Sequence, residues 1–209
     1  MRTAGGTTGD VTAGGLTELP PWLGAGETKP APRPLLLVQV FVNTWDGGTG
    51  FDLLADADTG ASWLRAAGLA GPQAPLPVAA LRQAIEVREG LRVLLAHNGG
   101  APPPADAELA PLAALAHDSS PRLSVGPAGL VGLTAGPDGG LADGLAGLLL
   151  IVRDAQQSDL WSRLKACHNP ECRWAFFDRS HAHRGTWCEM ATCGNIIKNR
   201  NLRARRRAD

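Results

Sequence analysis

The sequence of 209 residues lacks the patterns that mark membrane proteins, secreted proteins and common enzyme families. No stretch approaches the roughly 18 uninterrupted apolar residues of a transmembrane helix, and the first residues contain no apolar segment typical of a secretory signal. We therefore expect a cytoplasmic protein without a membrane partner. G-x-S-x-G, Walker and dinucleotide-binding motifs are also absent. Since no nucleophile, base and orienting partner form a recognisable set, we expect no enzymatic activity.

Cysteine is missing from the first 166 residues, and all four cysteines lie close together near the carboxyl end. Cys167 and Cys172 form one pair and Cys188 and Cys193 a second, with four residues inside each pair and 15 between the pairs. In a reducing compartment thiols stay free, so the doubled pattern predicts four thiolate ligands of one structural Zn²⁺ ion. Two disulfides or free buried thiols are the alternatives. Four thiolates leave no position open for water, which argues against a catalytic metal.

The residues around the cysteines are expected to support the metal rather than bind it. A segment of about 40 residues buries too little apolar surface to fold alone, and zinc binding supplies the missing free energy. Four aromatic side chains would form a small core beside the metal: Trp174, Phe176, Phe177 and Trp187. Four cysteines already complete a tetrahedral set, so we expect the nearby histidines at the surface or in hydrogen bonds. They are His168, His181 and His183.

Positive charge is scarce in the first part of the chain and abundant in the last. Residues 1–150 contain 8 basic and 14 acidic side chains, a net charge of −6, whereas residues 151–209 contain 12 basic and 6 acidic, a net charge of +6. After Glu189 no acidic residue occurs until Asp209. This asymmetry predicts a polyanionic partner for the basic part.

The basic residues of this tail are the candidates for contact with nucleic acid: Lys198, Arg200, Arg203, Arg205, Arg206 and Arg207. If a helix starts after Gly194, Asn199, Arg203 and Arg206 share one of its faces. Guanidinium groups fit phosphates and the edges of guanine bases, so this helix is a predicted nucleic-acid surface. A solvated basic tail is the simpler alternative.

The chain before the cysteines divides into a polar leader and an apolar domain. Residues 1–34 are rich in Gly, Thr and Pro without an apolar period, which predicts a flexible leader. The next run, LLLVQVFVNTW, is expected to be buried, and its β-branched and aromatic residues favour a strand, although periodicity alone does not separate it from a helix. Between Pro77 and Gly99, apolar residues recur with helical spacing and predict an amphipathic core helix.

Further elements follow the same patterns. DTGASWLRAAGL and PADAELAPLAALAHD indicate shorter helices, and RLSVGPAGLVGLTAGPDGG indicates a β-hairpin because its alternation breaks at Gly and Pro. The apolar stretch from Ala142 to Lys165 predicts a helix that leads into the first cysteine. The expected fold is mainly α with a small β-hairpin: a helical domain over residues 35–163 and a small four-cysteine zinc finger with a basic tail over residues 164–209.

The stretch CHNPECRWAFFDRSHAHRGTWCEMATCGNIIKNR resembles the CGNR zinc finger, whose pattern is C-x4-C, an F-x-D-x-S run, W-C-S-M-x-x-C-G-N-R and a basic helix. The similarity covers about residues 164–207. The matching residues are Cys167, Cys172, Phe177, Asp178, Ser180, Trp187, Cys188, Met190, Cys193, Gly194, Asn195 and Lys198. Two residues depart from the pattern: Glu189 stands where serine is usual, and Ile196 replaces the arginine of the motif name. If that arginine contacts DNA in the family, Arg200 or Arg203 would have to compensate here.

FVNTWD, followed by DLLADADTGASWLRAAGL, resembles the start of the ABATE domain, which usually precedes this finger in bacteria. The matching residues are Phe41, Val42, Asn43, Thr44, Trp63 and Leu64, while Val40 stands where the family often has an acidic residue. The resemblance implies a largely helical fold and a role in stress-induced transcription regulation.

Together these features predict a DNA-binding transcriptional regulator whose finger is shaped by zinc and whose basic helix meets DNA. The alternative is a zinc-stabilised protein-interaction module that binds an acidic protein or RNA. If the protein is such a regulator, its amino-terminal domain would sense a ligand or form a homodimer.

Overall fold

The computed structural model describes residues 20, 22–126, 129, 131–134 and 139–208. Within these residues the helices are α1 (Leu35–Val42), α2 (Ala57–Ala66), α3 (Val78–Asn98), α4 (Asp106–Asp118), α5 (Leu141–Gln157) and α6 (Asn195–Ala208). Three antiparallel pairs are formed by β1 (Trp45–Asp46) with β2 (Phe51–Asp52), β3 (Arg122–Val125) with β4 (Val131–Thr134), and β5 (Leu164–Ala166) with β6 (Ala175–Phe177). The mainly α class is confirmed, and β3 and β4 form the expected hairpin. Of the helices in this part of the chain, none has both the length and the apolar content that crossing a lipid bilayer demands.

Helix α3 is the central element of the core and contacts α1, α2, α4, α5 and β5. It lies between Pro77 and Gly99, as its periodicity predicted. Its apolar stripe is buried and consists of Leu81, Ala84, Val87, Leu91 and Leu95. The same helix also buries Arg88 and Arg92, which are 2% and 0% exposed and which the apolar pattern did not reveal.

The run LLLVQVFV forms helix α1. The prediction of a strand, which its β-branched residues favoured, was therefore wrong. Seven of its eight residues are buried, and a segment that is apolar on all sides carries no period to separate helix from strand. A helix pairs its backbone groups within itself, whereas a buried strand would need a neighbouring strand. Packing on every side of α1 therefore outweighs the intrinsic preference of valine for strands.

Helix α5 ends at Gln157, so the prediction that it continues into the first cysteine was wrong. The Ser158 hydroxyl donates to the Asp154 carbonyl at 3.0 Å, and Asp159 adopts a left-handed backbone with φ of 58°. A left-handed residue at this point stops helical hydrogen bonding. A 3-10 turn, Trp161–Arg163, then leads into β5, and the chain reaches the first cysteine as a strand.

Residues 22–34 pack against the core, so the expectation of a flexible leader was wrong for this part. Leu23 is only 3% exposed and belongs to the main hydrophobic core. The carbonyl of Lys29 accepts the amide of Phe177 in β6 at 3.0 Å. The remainder of the expected leader, residues 1–19 and 21, lies outside the described residues.

The β5–β6 hairpin belongs to two cores because successive residues of a strand point to opposite faces. Ala175 and Phe177 pack in the main core with α3, whereas Phe176 packs against the cysteines. Phe177, which was expected beside the metal, therefore lies on the other face of its strand. The finger is consequently built onto the helical domain through a shared core.

Candidate metal centre and basic helix

The first cysteine pair lies in the loop between β5 and β6. Cys167 directly follows β5, and its amide donates to the Trp174 carbonyl at 2.9 Å, which extends the pairing of the two strands. The carbonyl of Asn169 accepts the amides of Cys172 and Arg173 at 2.9 and 3.1 Å. Arg173 has a left-handed backbone with φ of 54°. The loop thus turns back on itself and brings the two sulfurs of the pair to one site.

The second pair lies at the start of the last helix. Cys188 precedes, and Cys193 lies within, a π-helical turn (Met190–Gly194) that continues directly into α6. Gly194 is buried, and a Cβ atom at this position would lie at 2.4 Å from the Sδ atom of Met190. A larger residue here would require the Met190 side chain to move, and the turn that contains Cys193 and Gly194 leads directly into α6.

The four sulfur atoms form one compact group in which all lie within 4.8 Å of one another. The Sγ atoms of Cys172 and Cys188 are 3.7 Å apart, and those of Cys188 and Cys193 are 3.8 Å apart. A tetrahedral zinc ion with bonds of about 2.3 Å to sulfur separates its ligands by about 3.8 Å, whereas a disulfide requires about 2.05 Å. The group is therefore consistent with one zinc ion, and all four cysteines are free thiols.

Hydrogen bonds within the sulfur group favour the ionised form of Cys167. The amides of Cys188 and Asn169 donate to the sulfur of Cys167, and the Asn169 side chain donates to Cys193 Sγ at 3.6 Å. Hydrogen bonds from the thiols of Cys172 and Cys188 lower the pKa of Cys167 to about 2. The hydrogen bond to Cys167 raises the pKa of Cys172 to about 12, and the hydrogen bond from Cys188 to Cys167 likewise raises the pKa of Cys188. Four adjacent thiolates repel one another, so full ionisation of this group requires a bound cation.

None of the three nearby histidines belongs to the sulfur group. His168 Nε2 lies 2.7 Å from the Gly99 carbonyl at the end of α3, and its ring packs edge-on against Trp187. His181 and His183 are exposed. Among the described residues the candidate ligand set therefore consists of cysteine alone.

A buried ion pair holds the loop between the two cysteine pairs. Lys165 Nζ donates to Asp178 Oδ2 at 2.9 Å and to the His183 carbonyl at 2.6 Å, and both paired side chains are at most 5% exposed. Asp178 also accepts the amides of Ser180 and Gly185 at 3.0 and 2.7 Å. Burial raises the pKa of Asp178, but its hydrogen bonds, above all from Ser180 and Lys165, outweigh this and hold the pKa well below its usual value.

Replacing Asp178 with alanine is expected to lower the free energy of unfolding by about 3–5 kcal/mol, because Lys165 would stay buried without its counter-charge. Urea unfolding of the zinc-loaded protein, followed by tryptophan fluorescence, measures this loss. Arg184→Ala changes an exposed side chain of the same loop and should cost less than about 0.5 kcal/mol. A loss below about 1 kcal/mol in Asp178→Ala would mean that Lys165 finds other partners or reaches water.

Asn43 connects the helical domain to the finger. Its Oδ1 accepts the amide of Ala175 at 2.7 Å, and its Nδ2 donates to the carbonyl of the same residue at 2.9 Å. The side chain therefore satisfies both backbone groups of one residue of β6, as a neighbouring strand would. The FVNT motif marks this asparagine by resemblance, but the sequence contains no signal for its distant partner.

A second connection runs through the buried arginine Arg92, which sequence reasoning missed. Its guanidinium donates to the carbonyl of Val42 at 2.7 Å and to that of Arg173 in the first cysteine loop at 3.1 Å. It also stacks over the Trp45 ring at 4.6 Å from the ring centre and pairs with Glu89. Burial lowers the pKa of Arg92, and Glu89 opposes this shift. The cysteine loop is thus anchored to the interior of the helical domain.

Helix α6 presents its basic side chains to solvent. The six candidate nucleic-acid contacts all lie on this helix and are exposed: Lys198, Arg200, Arg203, Arg205, Arg206 and Arg207. A groove along one side of the helix is lined by Ile196, Asn199, Arg200, Arg203, Ala204 and Arg207. Helix α6 keeps the spacing that places Asn199, Arg203 and Arg206 on one face. The groove takes in Asn199 and Arg203 of that face together with Arg200 and Arg207.

Ile196 lies at the amino-terminal end of this groove and is 48% exposed. Arg200, Arg203 and Arg207 follow it at spacings of four, seven and eleven residues, which place all four on one side of a helix. An arginine at position 196 would have extended the basic stripe by one turn. Arg200 forms an exposed ion pair with Glu171 at 2.8 Å, which contributes little to stability and leaves the guanidinium accessible.

The fold and this site define the class: a helical domain with a four-cysteine zinc finger that ends in an exposed basic helix. The family model of the CGNR zinc finger matches residues 163–206. The ABATE model, described as "Putative stress-induced transcription regulator", matches residues 36–161. The chain therefore belongs to the ABATE family and carries a carboxyl-terminal CGNR zinc finger, as the motifs indicated. That description names the regulation of transcription and no catalysed reaction. No protein with a curated description matches the chain significantly.

Proposed function

We propose that this protein is a DNA-binding transcriptional regulator in which Cys167, Cys172, Cys188 and Cys193 bind one structural zinc ion and α6 contacts DNA. The observation that carries the proposal is that an exposed basic helix begins directly at the sulfur group. Residues 164–209 would contact DNA, and residues 35–163 would regulate this contact. As a regulator that binds DNA, it would act in the cytoplasm.

The sulfur group is well placed to hold α6 at a defined angle. Cys193 lies in the turn that opens α6, and its sulfur is 3.8 Å from that of Cys188. Zinc supplies a cross-link between this turn and the β5–β6 hairpin. The hairpin is fixed in turn by Phe177, which lies in the main core. A basic helix held in this way loses less conformational freedom on binding than a flexible tail would.

The charge of α6 fits the DNA backbone. Arg200, Arg203 and Arg207 lie along one stripe of about 10 Å, given a rise of about 1.5 Å per residue. An α-helix fits the major groove of DNA, and guanidinium groups bind phosphates and guanine edges. Since Asn199 lines the same groove, it is a further candidate for a base contact.

A second candidate function is binding of an acidic protein. Ile196 and Leu202 are each 48% exposed on α6, so this helix combines apolar and cationic side chains on its surface. Such a mixed surface is typical of helices that bind protein grooves. RNA would be attracted by the same cations.

Fluorescence anisotropy with a labelled DNA duplex of random sequence tests the proposal. For the zinc-loaded full-length protein we expect binding at low salt. If three phosphates are contacted, raising the salt from about 50 to 200 mM should weaken binding about 40-fold. No binding at low salt, together with binding of an acidic polypeptide or of single-stranded RNA, would favour the second candidate or RNA instead.

A further inference from the structure

An open pocket of about 260 Å³ lies where residues 22–27 cross α1 and α2 and meet the finger. Its walls include three tryptophans from distant parts of the chain, namely Trp22, Trp63 of α2 and Trp174 of the first cysteine loop. Trp22 is 45% exposed, which is unusual for so large an apolar side chain. The pocket is smaller than those that hold drug-sized molecules, so it suits a small ligand.

Glu27 contributes a carboxylate to this pocket. Its Oε1 accepts the Asn43 side chain at 2.8 Å, and its Oε2 accepts Gln39 Nε2 at 2.9 Å and the indole N–H of Trp174 at 3.1 Å. All three donors are neutral groups. None of the lysines and arginines in the described part of the chain forms an ion pair with Glu27.

Within the described residues the carboxylate is therefore held in place by neutral donors alone. Burial raises the pKa of Glu27, and the hydrogen bonds from Asn43, Trp174 and Gln39 only partly oppose this. A carboxylate offers about four acceptor positions, of which three are used here. A cation in the pocket would occupy the remaining position and offset the cost of burying the charge.

We propose that this pocket binds a small organic ammonium compound. Its charged N–H group donates to Glu27, and its apolar part lies among Trp22, Trp63 and Trp174. Tryptophan is the aromatic side chain that attracts organic cations most strongly, and a carboxylate beside aromatic walls distinguishes a cation from a neutral molecule of the same shape. Binding of the ammonium compound in this pocket would not require DNA.

The position of Trp174 connects the pocket to the metal centre. Its backbone amide donates to the sulfur of Cys172, and its carbonyl accepts the amide of Cys167 at 2.9 Å. The same residue therefore contributes its indole to the pocket and its backbone to the first cysteine loop. A ligand that fixes the Trp174 indole would restrain this loop, which gives the helical domain a direct route to the finger.

Nuclear magnetic resonance of the tryptophan indole N–H groups in the zinc-loaded full-length protein tests this site. Benzylammonium is the probe, and benzyl alcohol is the neutral molecule of matching shape. Benzyltrimethylammonium keeps the charge and the ring but has no N–H to donate to Glu27, so it should bind more weakly than benzylammonium. We expect benzylammonium to shift the signals of Trp22, Trp63 and Trp174 in a saturable way and to bind about tenfold or more tightly than benzyl alcohol.

Variants assign the binding to Glu27 and the tryptophans. Glu27→Gln keeps the shape and should weaken benzylammonium binding about tenfold, whereas Glu86→Gln, an exposed acid on α3, should leave it unchanged. Trp22→Ala changes an exposed side chain and should weaken binding severalfold even if Glu27→Gln is poorly folded. The proposal is overturned if about 10 mM benzylammonium leaves the three indole signals unchanged. Equal binding of benzyl alcohol, or undiminished binding by folded Glu27→Gln or by Trp22→Ala, would also overturn it.

Discussion

Substitution of Cys188 by serine is expected to reduce the zinc content of the purified protein from stoichiometric to near zero. The sulfur of Cys188 lies between those of Cys172 and Cys193, at 3.7 and 3.8 Å. A serine hydroxyl stays protonated at neutral pH and does not replace a thiolate ligand. Structural zinc sites contribute about 10–16 kcal/mol of apparent binding free energy, so the loss of one ligand should be decisive. Elemental analysis of protein from a reducing lysate measures the zinc content.

The same variant should loosen one part of the finger and spare another. Hydrogen exchange is expected to accelerate over residues 186–208, which depend on the second cysteine pair. Strands β5 and β6 should stay protected because Ala175 and Phe177 pack in the main core. Thr192→Ala, an exposed change one residue before Cys193, should keep both zinc and protection. Stoichiometric zinc in Cys188→Ser would contradict the four-thiolate site.

Replacing Arg200, Arg203 and Arg207 together with alanine is expected to weaken DNA binding and to flatten its salt dependence. These three arginines line one groove of α6. Each phosphate contact contributes about 0.9 to the slope of log affinity against log salt, so three lost contacts should reduce the slope by about 2.7. Anisotropy titrations of the random duplex at several salt concentrations give this slope. The zinc content should not change, since none of the three contacts a sulfur.

A matched control uses the other three cations of the same helix. Lys198→Ala, Arg205→Ala and Arg206→Ala remove the same charge, but these residues do not line the groove. We expect a smaller loss of affinity and a smaller change of slope than for the groove variant. Equal losses in both variants would mean that α6 attracts DNA through its total charge. Unchanged affinity in both would show that the tail is only solvated.

Local patterns were sufficient to predict the metal group and the basic helix. A ligand pair depends on a short loop, so the spacing of Cys167 to Cys172 and of Cys188 to Cys193 already indicates the sulfur group that the structure brings together. Periodicity likewise identified α3, and the Gly and Pro breaks identified the β3–β4 hairpin. In each case the evidence lies within about 20 neighbouring residues, where helical and strand periods can be recognised.

Features that depend on distant contacts were missed. The strand expected at residues 35–45 is replaced over Leu35–Val42 by helix α1, because packing on all sides leaves no period. Residues 22–34 of the expected leader pack on the core because Leu23 and Lys29 find partners that lie far along the chain. The pairing of Asn43 with Ala175 and the burial of Arg92 likewise join segments more than 80 residues apart. Composition and period describe neighbours, so they do not specify such partners.

X-ray absorption at the zinc edge, on full-length protein purified under reducing conditions, tests the central claim most directly. The claim is that four sulfurs hold one zinc ion and so fix the basic helix on the helical domain. We expect a single shell of four sulfur atoms at about 2.3 Å. A shell that contains nitrogen or oxygen, or an ordered protein whose cysteines are metal-free or joined as disulfides, would contradict the account.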